Sequence, residues 1–501
     1  MSYVISYDFG TGGVKACLFD SKAKLISFSF ESYETRYPAA NYREQSPAHW
    51  WQAFVKSTRN LLSGSNVNRE EIISLGVSGH SLGLIPLSEG GRLLMEWTPI
   101  WSDSRADKEA DAFFEGYSQL EWYLTSGNGF PPAHYPLFKL MWLRENEPEV
   151  FEKMAIFLGT KDYLNYLLTG KLATDYSYAS GSGAYDLNGW CYSLSILDAA
   201  NIPKRLFPEI YPSDHVLGTL LPEVADQLGL PNTVKVVVGG VDNSCMALGA
   251  GNTADGKAYN SLGSSSWIAV SSKEPILDVN TKPFVFAHVL PELFTSAAAI
   301  FSAGTSLNWY KQQVVDRFVH QVDFDALTEE AKLSPPGANG VVFIPHLAGG
   351  SSLDLTPKVK GGFFGLELKH TKSDMTRAVF EGITFGLRVA LDALADVQKF
   401  EDRIRIVGGG GKNEFWMQLF ANVFNLKVQT TSVNQQCAAL GAAALAAVGG
   451  KVWDDYSMIE SAHCDEKNFY PEVDLVAFYQ ARYDLFKSVG LRMAPIYRDL
   501  F

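Results

Sequence analysis

Apolar positions at the start of the chain come in short blocks, alternating with polar ones and cut by glycine. Val4-Ile5-Ser6-Tyr7 and Val14-Lys15-Ala16-Cys17-Leu18-Phe19 are rich in β-branched and aromatic residues and read as two strands. Gly10-Thr11-Gly12-Gly13 lies between them, too permissive a run for either strand to continue, and predicts a hairpin. Lys24 to Tyr33 predicts a third strand. Ser46-Pro47 has the form of a helix start, with a helix beginning at His49. Ile72 to Val77 predicts a buried strand that ends in the bend Ser78-Gly79-His80. Leu137 to Glu145 and Lys161 to Leu168 are helical in pattern. Thr174 to Gly183 is polar and glycine-rich and predicts a loop. Lys235 to Val238 is an apolar strand that meets Gly239-Gly240 and then a helix over Ser244 to Gly249.

The opening pattern then returns. Ala258 to Leu262, Gly263-Ser264-Ser265 and Ser266 to Val270 again read as strand, small-residue turn and strand. Ser302 to Leu307 predicts a glycine turn opening a helix. Thr371 and Asp374 approximate a capping box before a long helix over 372–397, on which Met375, Val379, Ile383, Leu387, Ala390 and Leu394 recur at helical spacing. Ile404 to Val407 is a strand running into Gly408-Gly409-Gly410-Gly411-Lys412-Asn413. A small-residue helix, Cys437 to Val448, closes the unit and suits tight packing on a sheet. Two hairpins, one opening each half, predict an α/β protein built as a divergent duplication.

Composition narrows the function classes. Of 501 residues, 47% are hydrophobic and 19% charged, enough apolar surface for sizeable cores. A net charge of −13 disfavours a general nucleic-acid binder. The five cysteines, Cys17, Cys191, Cys245, Cys437 and Cys464, are scattered and form no metal or disulfide pattern, so a reducing, cytoplasmic setting is expected. No apolar run is long enough to span a bilayer.

The hairpin at Gly10, Thr11 and Gly12 turns several backbone N–H groups toward one point, a nest that suits phosphate oxygens. Asp8 before it suits Mg²⁺, and Lys15 after it suits a phosphate. The second hairpin has neither carboxylate nor lysine. Asp242, at a helix start, fits either a helix cap or a general base toward a substrate hydroxyl, and the helix N-terminus is expected to keep it ionised. His80 follows a buried strand, where ligands lie in α/β sheets, but a lone histidine is as readily structural. Trp101 and Asp103 suit a polyol, the indole over its C–H face and the carboxylate on its hydroxyls; Asp103 equally suits the N-cap of the next helix. The run from Gly251 to Ala258 approaches a phosphate-binding P-loop but has Ala258 where a hydroxyl is needed and a strand where a helix should follow, so it is read as a turn.

In this order the stretches Asp8 to Lys15, Val77 to His80, Trp101 to Arg105, Gly239 to Asn243, Ser261 to Ser265, Gly361 to Gly382 and Gly408 to Asn413 resemble the FGGY carbohydrate kinases, in particular their xylulokinase branch, over residues 3–490. The resemblance implies two actin-like, ribonuclease-H-like ATPase domains, residues 1–245 and 246–501, with ATP, Mg²⁺ and sugar in a central cleft. It implies Asp242 as catalytic base, Asp8, Thr11 and Lys15 on phosphates and metal, Gly263, Ser264 and Gly304 on the phosphate side of the second domain, and Gly409, Gly410 and Asn413 near adenosine. His80, Trp101, Asp103 and Asn243 would border the sugar. The implied reaction is transfer of the γ-phosphoryl group of ATP to an open-chain ketose or polyol, D-xylulose first. Gluconate, glycerol, ribulose, fuculose or a signalling polyol are alternative acceptors, and a non-catalytic sugar sensor is the alternative class. A small sugar is the expected partner, with no nucleic acid or membrane and room for a homodimer. Two runs depart from the pattern: Leu82 stands where the branch carries a sugar-contacting histidine, and Gly349-Gly350-Ser351-Ser352-Leu353 replaces the relatives' Gly-Glu-Arg-Thr-Pro.

Overall fold

The computed structural model describes residues 2–129, 131–317, 322–351, 353–356, 358–463 and 467–500. Ser352 and Cys464 lie outside the described residues.

The glycine-cut blocks form the expected meander: β1 (Tyr3–Gly10), β2 (Gly13–Asp20) and β3 (Leu25–Ser32) pair antiparallel in sequence. β4 (Ile72–Gly79) joins β1 in parallel. Beyond it lie β5 (Val216–Thr219), β6 (Lys235–Val237) and the two-residue β7 (Gly240–Val241). The sheet order is β5-β6-β4-β1-β2-β3, with β7 also on β4.

The second half repeats the scheme. β8 (Ala258–Leu262) and β9 (Ser266–Ser272) form the second hairpin, extended by β10 (Phe284–Ala287) and β11 (Phe294–Ile300). β12 (Arg403–Val407) joins β8 in parallel, followed by β13 (Lys427–Gln429) and β14 (Asn468–Phe469). The order is β10-β11-β9-β8-β12-β13-β14. Third, second, first, fourth and fifth strands thus follow one another as β3-β2-β1-β4-β6 in one half and β11-β9-β8-β12-β13 in the other. The duplication read from two hairpins extends to five strands of each sheet.

Period-two alternation decides which face each side chain joins. Ile5, Tyr7, Phe9, Val14, Ala16 and Leu18 face α1 (Pro47–Ser63) and α2 (Thr160–Thr169). Val4, Cys17 and Phe19 face the other way, onto α4 (Asp242–Gly249) and α7 (Cys437–Gly449). Those two helices also pack on the second sheet, where Ala247, Ala250 and Cys437 cluster with Tyr259, Ala269 and Val407. The α4–α7 pair is therefore a layer shared by both sheets. Helix α7 is apolar all round, as a helix enclosed by protein must be. It falls between β13 and β14 of the second sheet in sequence, yet packs on the first sheet as well. The outer face of the second sheet is covered by α5 (Lys372–Ala395) and α6 (Glu414–Phe424), with α8 (Val473–Leu500) beyond. The Thr371–Asp374 capping box is present at the start of α5.

One expected loop is not a loop. Within Thr174 to Gly183, Tyr176–Ser180 forms the short helix α3, and almost the whole run is buried. The polar residues are tolerated inside because Asp175 caps the helix and is paired with the buried Lys161 at 2.9 Å. Asp103 is also not a helix cap: the next helix starts at Asp107, after Ala106.

Candidate active site

Pairing of β2, β1, β4 and β7 sets Lys15, Asp8, Ser78 and Gly240 side by side in one row across the first sheet. The row lies toward the carboxyl ends of the parallel strands, where α/β sheets present ligand sites. Two residues beyond Gly240, Asp242 opens α4.

Two carboxylates dominate the electrostatics. Burial raises the Asp8 carboxyl above its usual range, against the pull of Lys15 and of the Ser78 hydroxyl, which donates at 3.4 Å. Burial and the charge of Asp8 push the Asp242 carboxyl up to about 7, although it accepts the Asn243 N–H at 2.8 Å. The expectation that the helix terminus keeps Asp242 ionised is thus corrected: loss of water and the charge of Asp8 outweigh the helix end. An acid near 7 is matched to proton transfer at neutral pH.

Tyr33, which no spacing in the sequence singles out, belongs here. Its hydroxyl donates to the Gly10 carbonyl, and burial, followed by the charges of Asp8 and Asp242, holds its phenol well above the usual value. From the other half, the Tyr259 hydroxyl donates to the Asn243 carbonyl at 3.3 Å. Asp242 therefore stands between the two sheets.

The second half meets the first hairpin directly. Lys15 Nζ donates to the Gln435 carbonyl at 2.6 Å. The Gln435 side-chain amide lies 3.7 Å from the place a β-carbon on Gly409 would take. Gly408, at φ +96°, and Gly410 press on Leu262, whose backbone oxygen and Cδ2 would stand 2.6 and 2.5 Å from added β-carbons. Close backbone packing, rather than space for a base, explains those two glycines; Gly409 has room. Asn413 caps α6, accepting the Trp416 N–H at 3.0 Å and donating to Thr328 at 2.6 Å. At the second hairpin, Gly263 and Ser264 are exposed, and their carbonyls accept the N–H groups of Ala303, Gly304 and Thr305, each at 3.0 Å. The Gly304 amide is thereby committed to Gly263.

On the expected sugar side, the Trp101 indole donates to the Thr11 hydroxyl at 2.9 Å, and the residue is 37% exposed beside the hairpin tip. Asn243 is partly exposed next to Asp242. His80 is buried, edge-on to Trp50, with both ring nitrogens 3.2 Å from the Thr160 hydroxyl. Burial and the charge of Lys139 push it down to about 4, so it is neutral. Asp103 is fully buried; its oxygens accept the Arg43 N–H at 2.7 Å, the Arg105 N–H at 3.2 Å and two Arg105 guanidinium bonds at 2.8 Å. With four donors its lone pairs are filled, and the residue is an anchor for the Trp101 loop. Lys139, buried and pushed down to about 7 by loss of water, donates to the carbonyls of Leu82 at 2.9 Å and Ile100 at 2.8 Å. Leu82 adopts a left-handed backbone, φ 58°.

Two ribonuclease-H-like sheets, a shared helix layer and a carboxylate pair beside the first glycine hairpin define a two-lobed phosphotransferase of the actin-like class. Residues 3–249 match the N-terminal domain, and residues 258–450 the C-terminal domain, of the FGGY family of carbohydrate kinases. The chain belongs to that family and is a sugar kinase. It is 31% identical to the xylulose kinase of Bacillus subtilis, over 98% of this chain and 97% of that one. It is 32% identical to the xylulose kinase of Lactococcus lactis, over 100% and 99%. Among solved structures, a gluconate kinase and a ligand-bound xylulose kinase, both from Lactobacillus acidophilus, superpose with TM-scores of 0.92 at 26% identity, each covering 100% of both chains.

Proposed function

We propose that the protein phosphorylates D-xylulose at its terminal primary hydroxyl, using ATP, with Asp242 as the base that accepts the hydroxyl proton. The observation that carries the reading is the position and chemistry of Asp242: it stands between the two sheets, in electrostatic contact with Asp8, with its carboxyl raised to about 7. The full-length resemblance to proteins named xylulose kinase supports the choice of sugar. On this reading Lys15 and the amides of the Gly10–Thr11–Gly12 turn hold phosphate oxygens. Gly263, Ser264 and Gly304 form the facing wall, and Gly409, Gly410 and Asn413 border the adenosine. Trp101 and Asn243 border the sugar, while His80 and Asp103 act behind them by holding the loops in place.

Mg²⁺ fits the residues present. No cluster of three His, Cys, Asp or Glu side chains occurs among the described residues, and Asp8 with the Ser78 hydroxyl offers oxygen donors only. That suits an ion that keeps several waters and shares phosphate oxygens. When bound it would offset the buried charge of Asp8 and that developing on the phosphoryl group. The chain's own contribution is orientation, proton acceptance at Asp242 and exclusion of water as the two halves close.

We place the boundary between the halves after Cys245 and assign the enzyme to the cytoplasm, consistent with Cys17, Cys191, Cys245 and Cys437 all being free thiols; a homodimer belongs to the same proposal. A panel of ketoses, polyols and sugar acids assayed for ADP release tests the function. Preference for D-xylulose supports it. Preference for gluconate moves the chain to a different acceptor, and sugar-independent ADP release removes the kinase reading.

A further inference from the structure

A buried chain of hydrogen bonds runs from α2 to the residue that precedes Asp242. Lys161 Nζ pairs with Asp175 Oδ1 at 2.9 Å. Asp175 Oδ2 accepts the Ser177 hydroxyl at 2.5 Å, the Ser177 amide at 2.9 Å and the Ser213 hydroxyl at 2.9 Å. The Ser177 oxygen in turn accepts the Val241 N–H at 3.0 Å. Lys161, Asp175, Ser177 and Ser213 are all at most 2% exposed. Each bond has a defined direction. The ammonium fixes the carboxylate, the carboxylate takes the only hydroxyl proton of Ser177, and the freed lone pair of Ser177 faces the Val241 amide. The same carboxylate reaches the segment at a second point. Through Ser213, whose carbonyl accepts the Gly239 N–H at 2.8 Å, it holds the glycine pair.

These bonds add to the pairing of β7 with β4 and the burial of the Val241 side chain, and they are what ties the Val241 N–H, immediately before Asp242, to the buried carboxylate. Gly239 is left-handed, φ +73°, and a β-carbon on it would overlap the Val77 carbonyl. Gly240 has no side chain to pack. The strand β7 is two residues long and is followed at once by Asp242. A flexible Gly-Gly link thus carries a group that must stand within about 3 Å of a substrate hydroxyl, and a misplacement of about 1 Å can cost about a hundred-fold in rate.

We infer that Ser177 is a positioning residue: oriented by the Lys161–Asp175 pair, its hydroxyl holds the Val241 amide and so sets the reach of Asp242 toward the acceptor. The inference rests on Asp242 being the base.

The test is steady-state kinetics of the full chain with ATP and D-xylulose for Ser177→Ala, Ser177→Thr, Asp242→Asn and the double variant Ser177→Ala/Asp242→Asn. Ser177→Ala is expected to lower kcat about ten-fold or more with KM for ATP within about two-fold of wild type. Ser177→Thr, which keeps the hydroxyl, restores kcat. Adding Ser177→Ala to Asp242→Asn lowers kcat no further, because the group being positioned is already disabled. A wild-type kcat in Ser177→Ala, or an equal further loss in the Asp242→Asn background, overturns the inference. If Asp242→Asn itself turns over normally, the base assignment fails instead, and the two failures are distinct. Should Ser177→Ala not fold, Ser177→Cys replaces it. Its sulfur fills the space but is a weak acceptor, so a reduced kcat supports the inference and an unchanged one overturns it.

Discussion

Gly441 of α7 lies against Cys245 of α4 so closely that a β-carbon on Gly441 would overlap the Cys245 carbonyl oxygen. The contact is reciprocal, since Gly249 on α4 meets the Cys437 carbonyl of α7 in the same way. Two glycines therefore set the spacing of the helix layer that both sheets share, and with it the position of Asp242, which opens α4.

Gly441→Ala tests that spacing. The added methyl must push the helices apart, since backbone and not a flexible side chain stands in its way. Overpacking of this kind costs roughly 1–3 kcal/mol. Urea unfolding is expected to show a midpoint lowered accordingly, with reduced turnover in the folded fraction. An unchanged midpoint contradicts the contact.

Asp242 should weaken the fold at neutral pH. Its folded pKa of about 7 lies above the ordinary carboxylate value of 3.8. The folded chain therefore holds a proton that the unfolded chain has released between those values, and stability falls as pH rises through that window. Asp242→Asn removes the dependence. The variant is expected to exceed the wild type in stability by more at pH 8 than at pH 5, by denaturant unfolding without nucleotide. An equal gap at both values contradicts the raised pKa.

Asp103→Asn distinguishes an anchor from a sugar ligand. The change leaves Arg105 facing Glu44 alone across the 2.7 Å bond they already make. Breaking a buried pair costs about 3–5 kcal/mol. A large loss of stability is expected. A variant of wild-type stability whose only defect is a raised KM for the sugar contradicts the anchor.

What was legible in the sequence was what local spacing encodes. Period-two blocks cut by Gly10 to Gly13 and by Gly263 to Ser265 gave both hairpins. Thr371 and Asp374 gave the start of α5, and the Gly-Gly pair before Asp242 marked the strand-to-helix turn. What local spacing could not encode were partners far along the chain. Asp103 reads as a polyol ligand until Arg43, sixty residues earlier, donates to it. Thr174 to Gly183 reads as a loop until Lys161 enters and lets its polar groups be buried in and around a short helix. Helix α7 reads as the close of the second unit, yet packs on the first sheet. The close approach of Gly408 and Gly410 to Leu262, far earlier in the chain, is likewise invisible to local spacing.

Lys139→Met tests the floor of the sugar side. It removes the shared donor of the Leu82 and Ile100 carbonyls; Ile100 keeps the Asp103 N–H at 3.1 Å, while the buried Leu82 carbonyl loses its lysine partner, at about 1–3 kcal/mol. The two loops are expected to loosen together, raising KM for the sugar several-fold while KM for ATP stays near wild type. Equal changes in both contradict the assignment of these loops to the sugar side.

The most direct measurement is D-xylulose-dependent ADP release by Asp242→Asn beside the wild type, with ATP affinity measured in parallel. A positioned base contributes about 10²–10⁴ in rate. Turnover lower by that factor with ATP affinity retained is the predicted result. Turnover near the wild-type value would contradict the assignment of Asp242 and the mechanism built on it.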